Sequence, residues 1–185
     1  PAHPVPEAEG GVDAELGGRR QVGGGAVVVA GATVRGHGKD DVAERAWASD
    51  WLIAILGRES VPVTPEVKEH LWSALSSLAS APINERTLTG LSVLLQSNDL
   101  KQALRPYCVG GPYGRLLDAE AEHLGEANVQ VFETEGLIGT GAAAAVLAYL
   151  FHRIEDRLDG RPTLLIVDEG WLALDDEGFA GQLRE

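Results

Sequence analysis

The sequence has no methionine, a single cysteine, few aromatic side chains and no apolar run near the roughly 20 residues that a bilayer-spanning helix needs. The lone Cys108 excludes an internal disulfide. No second cysteine or histidine pair stands at a metal-ligand spacing, so neither a disulfide framework nor a structural zinc site is written here, and a reducing, cytosolic setting is expected. Positive charge is also scarce. Fifteen Lys and Arg face 28 Asp and Glu, for a net charge of -13, which argues against a surface made to neutralise phosphate backbones. Direct nucleic-acid binding is therefore not expected. Residues 1–9 lack the basic and apolar regions of a signal peptide, so any membrane contact is expected to run through partner proteins. The absence of methionine, with the missing motif described below, makes the chain an expected fragment of a longer product.

What is present falls into three stretches. Residues 1–40 hold ten of the 23 glycines and only one leucine, Leu16, and show no helical periodicity; they read as a poorly ordered tail. Residues 41–110 read as a helical subdomain. Ala46, Trp47, Ile53 and Leu56 give a first helix a mixed apolar face, with Gly57 as its expected end. A second helix is capped by Thr64 and opened by Pro65. It carries Val67, Leu71, Ala74, Leu75 and Leu78 at helical spacing until Pro82 stops it. Thr87 and Asn98 are placed to cap two shorter helices.

Residues 111–185 change character. A turn-rich crossing through Gly110, Gly111, Pro112 and Gly114 leads into what reads as an α/β unit: a strand at 129–132, a helix at 142–158 and a strand at 163–167. Leu164, Leu165, Ile166 and Val167 precede Asp168 and Glu169. An apolar strand of a parallel sheet delivers side chains at its carboxyl end to the crevice where α/β folds bind ligands. In P-loop ATPases the first carboxylate of such a Walker B pair holds magnesium, usually through water, and the second polarises the attacking water. The plainer reading is a strand ending in two solvated acids. The companion phosphate loop is missing. Gly38 and Lys39 are adjacent, but Thr33 stands where the first glycine belongs and Asp40 where a Ser or Thr belongs, so both read as tail residues.

The remaining candidates are weaker. His123 and His152 have no acid and nucleophile at a motif spacing and read as satisfied surface or core histidines, and Asp175, Asp176 and Glu177 read as the start of a last helix through Phe179 and Leu183.

The run Tyr149 to Glu155, then Asp159 to Thr163 and Leu164 to Trp171, resembles the TrbE-type conjugal transfer ATPases, the VirB-type energising ATPases of type IV secretion. Residues 88–98, 104–107 and 111–117 look like the segment that these proteins carry upstream, and the likeness covers roughly residues 42–185, while residues 1–40 lie outside it. The resemblance implies an α/β fold: a partial RecA-like P-loop NTPase core with a helical subdomain inserted between phosphate loop and Walker B strand. It implies Asp168 as the magnesium-holding, cofactor-binding residue and Glu169 as the catalytic base. ATP and Mg2+ are implied for the intact parent, with none tightly bound by this piece. The implied partners are other subunits of a secretion or conjugation complex, with a homo-hexamer in the parent, and the implied place is cytoplasmic, peripheral to the inner membrane. Gly170 departs from the alanine usual in the family. The other reading is a non-catalytic helical interaction module.

Overall fold

The structure is a computed structural model that describes residues 41–119, 129–134, 136, 137 and 139–167. Six α-helices are formed among them. They are α1 (Asp41–Arg58), α2 (Pro65–Ala79), α3 (Leu88–Leu94), α4 (Asn98–Leu104), the single turn α5 (Gly114–Leu117) and α6 (Ala143–Glu155), with 3-10 turns at Ile83–Glu85 and Arg105–Tyr107.

Helix α1 buries Ala48, Trp51, Leu52, Ile55 and Leu56, positions that recur every three to four residues and so line one face. The expected face is rotated, since Trp47 and Ile53 are only partly buried and pack at the margin of the core. Gly57 does not end the helix. The chain closes it at Ser60, whose φ of 61° is left-handed, with the Val61 N–H donating to the Leu56 carbonyl at 3.0 Å and the Ser60 N–H to that of Gly57 at 3.1 Å. This is the Schellman arrangement, satisfying carbonyls that a helix end leaves unpaired. Helix α2 follows the sequence closely. Thr64 accepts the Val67 N–H at 3.3 Å, Pro65 opens the helix, and Leu71, Ala74, Leu75 and Leu78 are buried. Thr87 caps α3 by accepting the Gly90 N–H, whereas α4 is capped by Ser97, not by Asn98, which is its first helical residue.

Helix α1 packs against α2, α4 and α6, while α2 packs on α3 and α3 on α4. A continuous apolar core runs through these contacts from Ala48 to Tyr149, taking in Tyr107, Leu117 and Leu137 from the connecting segments. Close backbone approaches decide the crossing after α4. Gly110 has φ 84°, and a Cβ on Gly114 would collide with the Cys108 carbonyl, so the chain folds back on itself at a position only glycine fits.

The α/β architecture is corrected here. Among the described residues there is no strand and no sheet: residues 129–134 and 162–167 run without strand pairing. Val129, Val131, Leu164 and Ile166 are each about four-fifths exposed, at 81%, 86%, 84% and 79%. Apolar alternation specifies a strand only where a neighbour supplies ladder hydrogen bonds and a layer covers the face. Neither is present around these segments among the described residues. The expected helix between them does form, from Ala143 rather than Ala142 and ending at Glu155 rather than Leu158.

Candidate functional site

Two polar junctions tie the helices together. At the first, α1 and α6 meet. Glu44 and Trp47, three residues apart, share one face of α1; His152 and Asp156, four apart, share one face of α6. The His152 and Trp47 rings stack with centroids 3.7 Å apart and planes within 6°, and His152 Nε2 lies 3.0 Å from Glu44 Oε2. Both side chains are largely covered, at 13% and 15% exposure. Glu44 Oε1 is shut off from solvent with no hydrogen-bond partner among the described residues. Asp156 accepts from the Arg153 guanidinium. A few residues deeper, the Trp51 indole N–H reaches the Ala145 carbonyl of α6.

The second junction centres on Asp118, a buried carboxylate. It accepts the Thr89 backbone N–H at 3.2 Å, the Thr89 hydroxyl, and the Val109 N–H at 2.6 Å, so one side chain anchors the start of α3 and the crossing after α4. Burial, and then the neighbouring Asp118 charge, push the Cys108 thiol up to about 11 from an ordinary 9.0. That makes Cys108 an inert core thiol at neutral pH, not a nucleophile. Nearby, the Tyr107 hydroxyl donates to Glu59 at 2.8 Å, and burial followed by that bond raises its pKa. An open depression of about 310 Å³ beside this junction is lined by Thr89, Ser92, Lys101, Gln102, Arg105 and Val109 among others.

Asp168 and Glu169 lie outside the described residues, as do His123, Gly38, Lys39 and the final helix expected from Asp175. The residues leading to the acidic pair, 164–167, are extended and exposed. His152 is a satisfied histidine, as its sequence position indicates, but the acid that satisfies it was not legible: Glu44 is 108 residues away. The one usable signal was that Glu44 and Trp47 share a helical face.

No helix among the described residues is long and apolar enough to cross a membrane. No protein-family model matches the chain. Among curated proteins, it is 39% identical over 145 residues to a probable conjugal transfer protein TrbE of Sinorhizobium fredii (strain NBRC 101917 / NGR234), across 77% of this chain and 22% of the relative. It is 37% identical over 144 residues to the "Conjugal transfer protein TrbE" of Rhizobium radiobacter, across 77% of this chain and 17% of that protein. The "Type IV secretion system protein virB4" of Bartonella henselae is 24% identical over 140 residues, covering 73% of this chain and 18% of the relative. The chain thus spans about a fifth of the length of the curated relatives it matches.

Proposed function

This chain is a TrbE-type, VirB4-related sequence of conjugal transfer and type IV secretion, and from that premise we propose that it carries the metal- and water-handling carboxylates of an ATP-driven transfer motor. Asp168 is the magnesium-side residue and Glu169 the base. The observation that carries the reading is the acidic pair closing an apolar run, Leu164 to Val167, in a chain 39% identical to a conjugal transfer protein. The donor set fits the metal, since carboxylate oxygens are the ligands that a hard cation such as Mg2+ accepts. A bound Mg2+ would neutralise charge on the nucleotide phosphates. Asp168 contributes a negative charge that orients that cation's water shell. Glu169 accepts a proton from the attacking water, which an amide in its place cannot do.

The 185 residues contain no G-x-x-x-x-G-K-[ST] sequence, so nothing in them supplies the backbone amides and lysine that cradle the β- and γ-phosphates. The chain by itself is therefore proposed to be inactive, and hydrolysis to need a phosphate loop from the remainder of a TrbE-type protein. Its partners would be other subunits of the transfer complex, with further copies of the same protein in a hexamer, on the cytoplasmic side of the inner membrane. The experiment is to join the chain to the cognate phosphate-loop segment of a TrbE protein and compare Glu169→Gln with the parent. Retained ATP binding with turnover lowered about a hundredfold to ten-thousandfold supports the reading.

A second reading has its own support. Every regular element among the described residues is helical, and their core is continuous without the acidic pair. A non-catalytic helical interaction module has this organisation. Failure of the joined protein to bind ATP would favour it.

A further inference from the structure

We propose that Glu44, His152 and Asp156 form a binding site for a divalent transition-metal ion of the zinc class, between the start of α1 and the end of α6. One ligand atom from each lies within 4.8 Å of those of the other two. Metal–ligand bonds of about 2.0–2.2 Å place neighbouring tetrahedral ligands about 3.4 Å apart, so a small contraction about a central ion suffices.

Three features point to a cation rather than to a plain hydrogen-bonded cluster. Glu44 Oε1 is buried without a partner, and a buried acceptor left unpaired is a rarity that calls for an explanation. An ion seated between His152 and Glu44 would replace their 3.0 Å contact and lie within reach of that carboxylate's unpaired oxygen. The His152 ring is held in its plane by the Trp47 stack, and the Asp156 carboxylate is held by Arg153. Orienting contacts of this kind behind the ligands are what metal sites use to fix their geometry.

The donor set selects the metal. One imidazole and two carboxylates leave a fourth, open position and suit zinc and its neighbours, whereas Mg2+ and Ca2+ prefer oxygen alone. The site is separate from Asp168 and stands whether or not the ATPase reading holds.

The test is a calorimetric titration of the full 185-residue chain with zinc chloride at neutral pH, with and without excess magnesium. One saturable site that magnesium does not displace is expected. Asp156→Asn, at an exposed position with little bearing on packing, should weaken binding about tenfold or more, and His152→Gln should weaken it at least as much, with helix content by circular dichroism unchanged for Asp156→Asn. Replacing His3, His37, His70 and His123 together should leave binding intact. The proposal is overturned by the absence of saturable zinc binding, by unchanged affinity in both site variants, or by loss of binding when the other four histidines are replaced.

Discussion

The Trp51 indole N–H donates to the Ala145 carbonyl at 2.8 Å, joining α1 to α6 across 94 residues of sequence. Trp51 also stacks on Trp47, with centroids 5.9 Å apart, and meets Tyr149, so the bond sits inside an aromatic cluster at the helix junction. Trp51→Phe keeps most of the packing and removes the donor. A loss of roughly 1–2 kcal/mol is expected, from one buried hydrogen bond and a fraction of a ring. Urea unfolding followed by circular dichroism measures it, and an unchanged midpoint would show that the bond contributes nothing net.

Asp118 makes a sharper case because a buried carboxylate serves three donors at once. Asp118→Ala leaves the Val109 and Thr89 amides unpaired and is expected to cost about 2–3 kcal/mol, since bonds to a charged acceptor contribute more than neutral ones. Asp118→Asn should recover only a portion of this, because its NH2 group would face donors. Equal stability of the two variants would contradict the account.

At Ser60 the direction reverses. A left-handed φ strains any residue with a Cβ, and Ser60 is exposed, so Ser60→Gly should raise stability by about 1 kcal/mol. A lowered urea midpoint would show that the serine side chain supports the turn.

Cys108 gives a pH dependence. Its folded pKa, about 11, exceeds the ordinary 9.0, so the folded state holds the proton more tightly. The stabilisation is complete below pH 9 and is lost as pH rises toward 11. Cys108→Ala should flatten the stability profile across that window, leaving the Tyr107 contribution at higher pH. At about pH 8 the native thiol should also alkylate about a hundredfold more slowly than in the unfolded chain, in proportion to its thiolate fraction. Equal rates would place Cys108 outside the core.

The helices are legible in the sequence where local chemistry decides them. Thr64, Pro65 and the spacing from Leu71 to Leu78 define α2 without outside help. For the first helix the sequence points to a rotated face, because a mixed apolar pattern in which Trp47 and Trp51 both qualify fixes the buried side only once α6 is present to cover it. The expected strands do not form, for a different reason. A run such as Leu164 to Val167 records that burial is wanted, not what supplies it, and here nothing among the described residues does. The Glu44 and His152 pairing is invisible in the sequence because nothing local links residues 108 apart.

The central claim, that Asp168 and Glu169 serve ATP hydrolysis, is tested most directly by phosphate release from the chain joined to its cognate phosphate-loop segment. The parent should turn over ATP. Glu169→Gln should bind ATP and magnesium yet fall in rate by about a hundredfold or more, and Asp168→Asn should instead weaken magnesium-dependent binding. Turnover at the parental rate in both variants would contradict the claim and leave the two acids as a solvated end to an apolar segment.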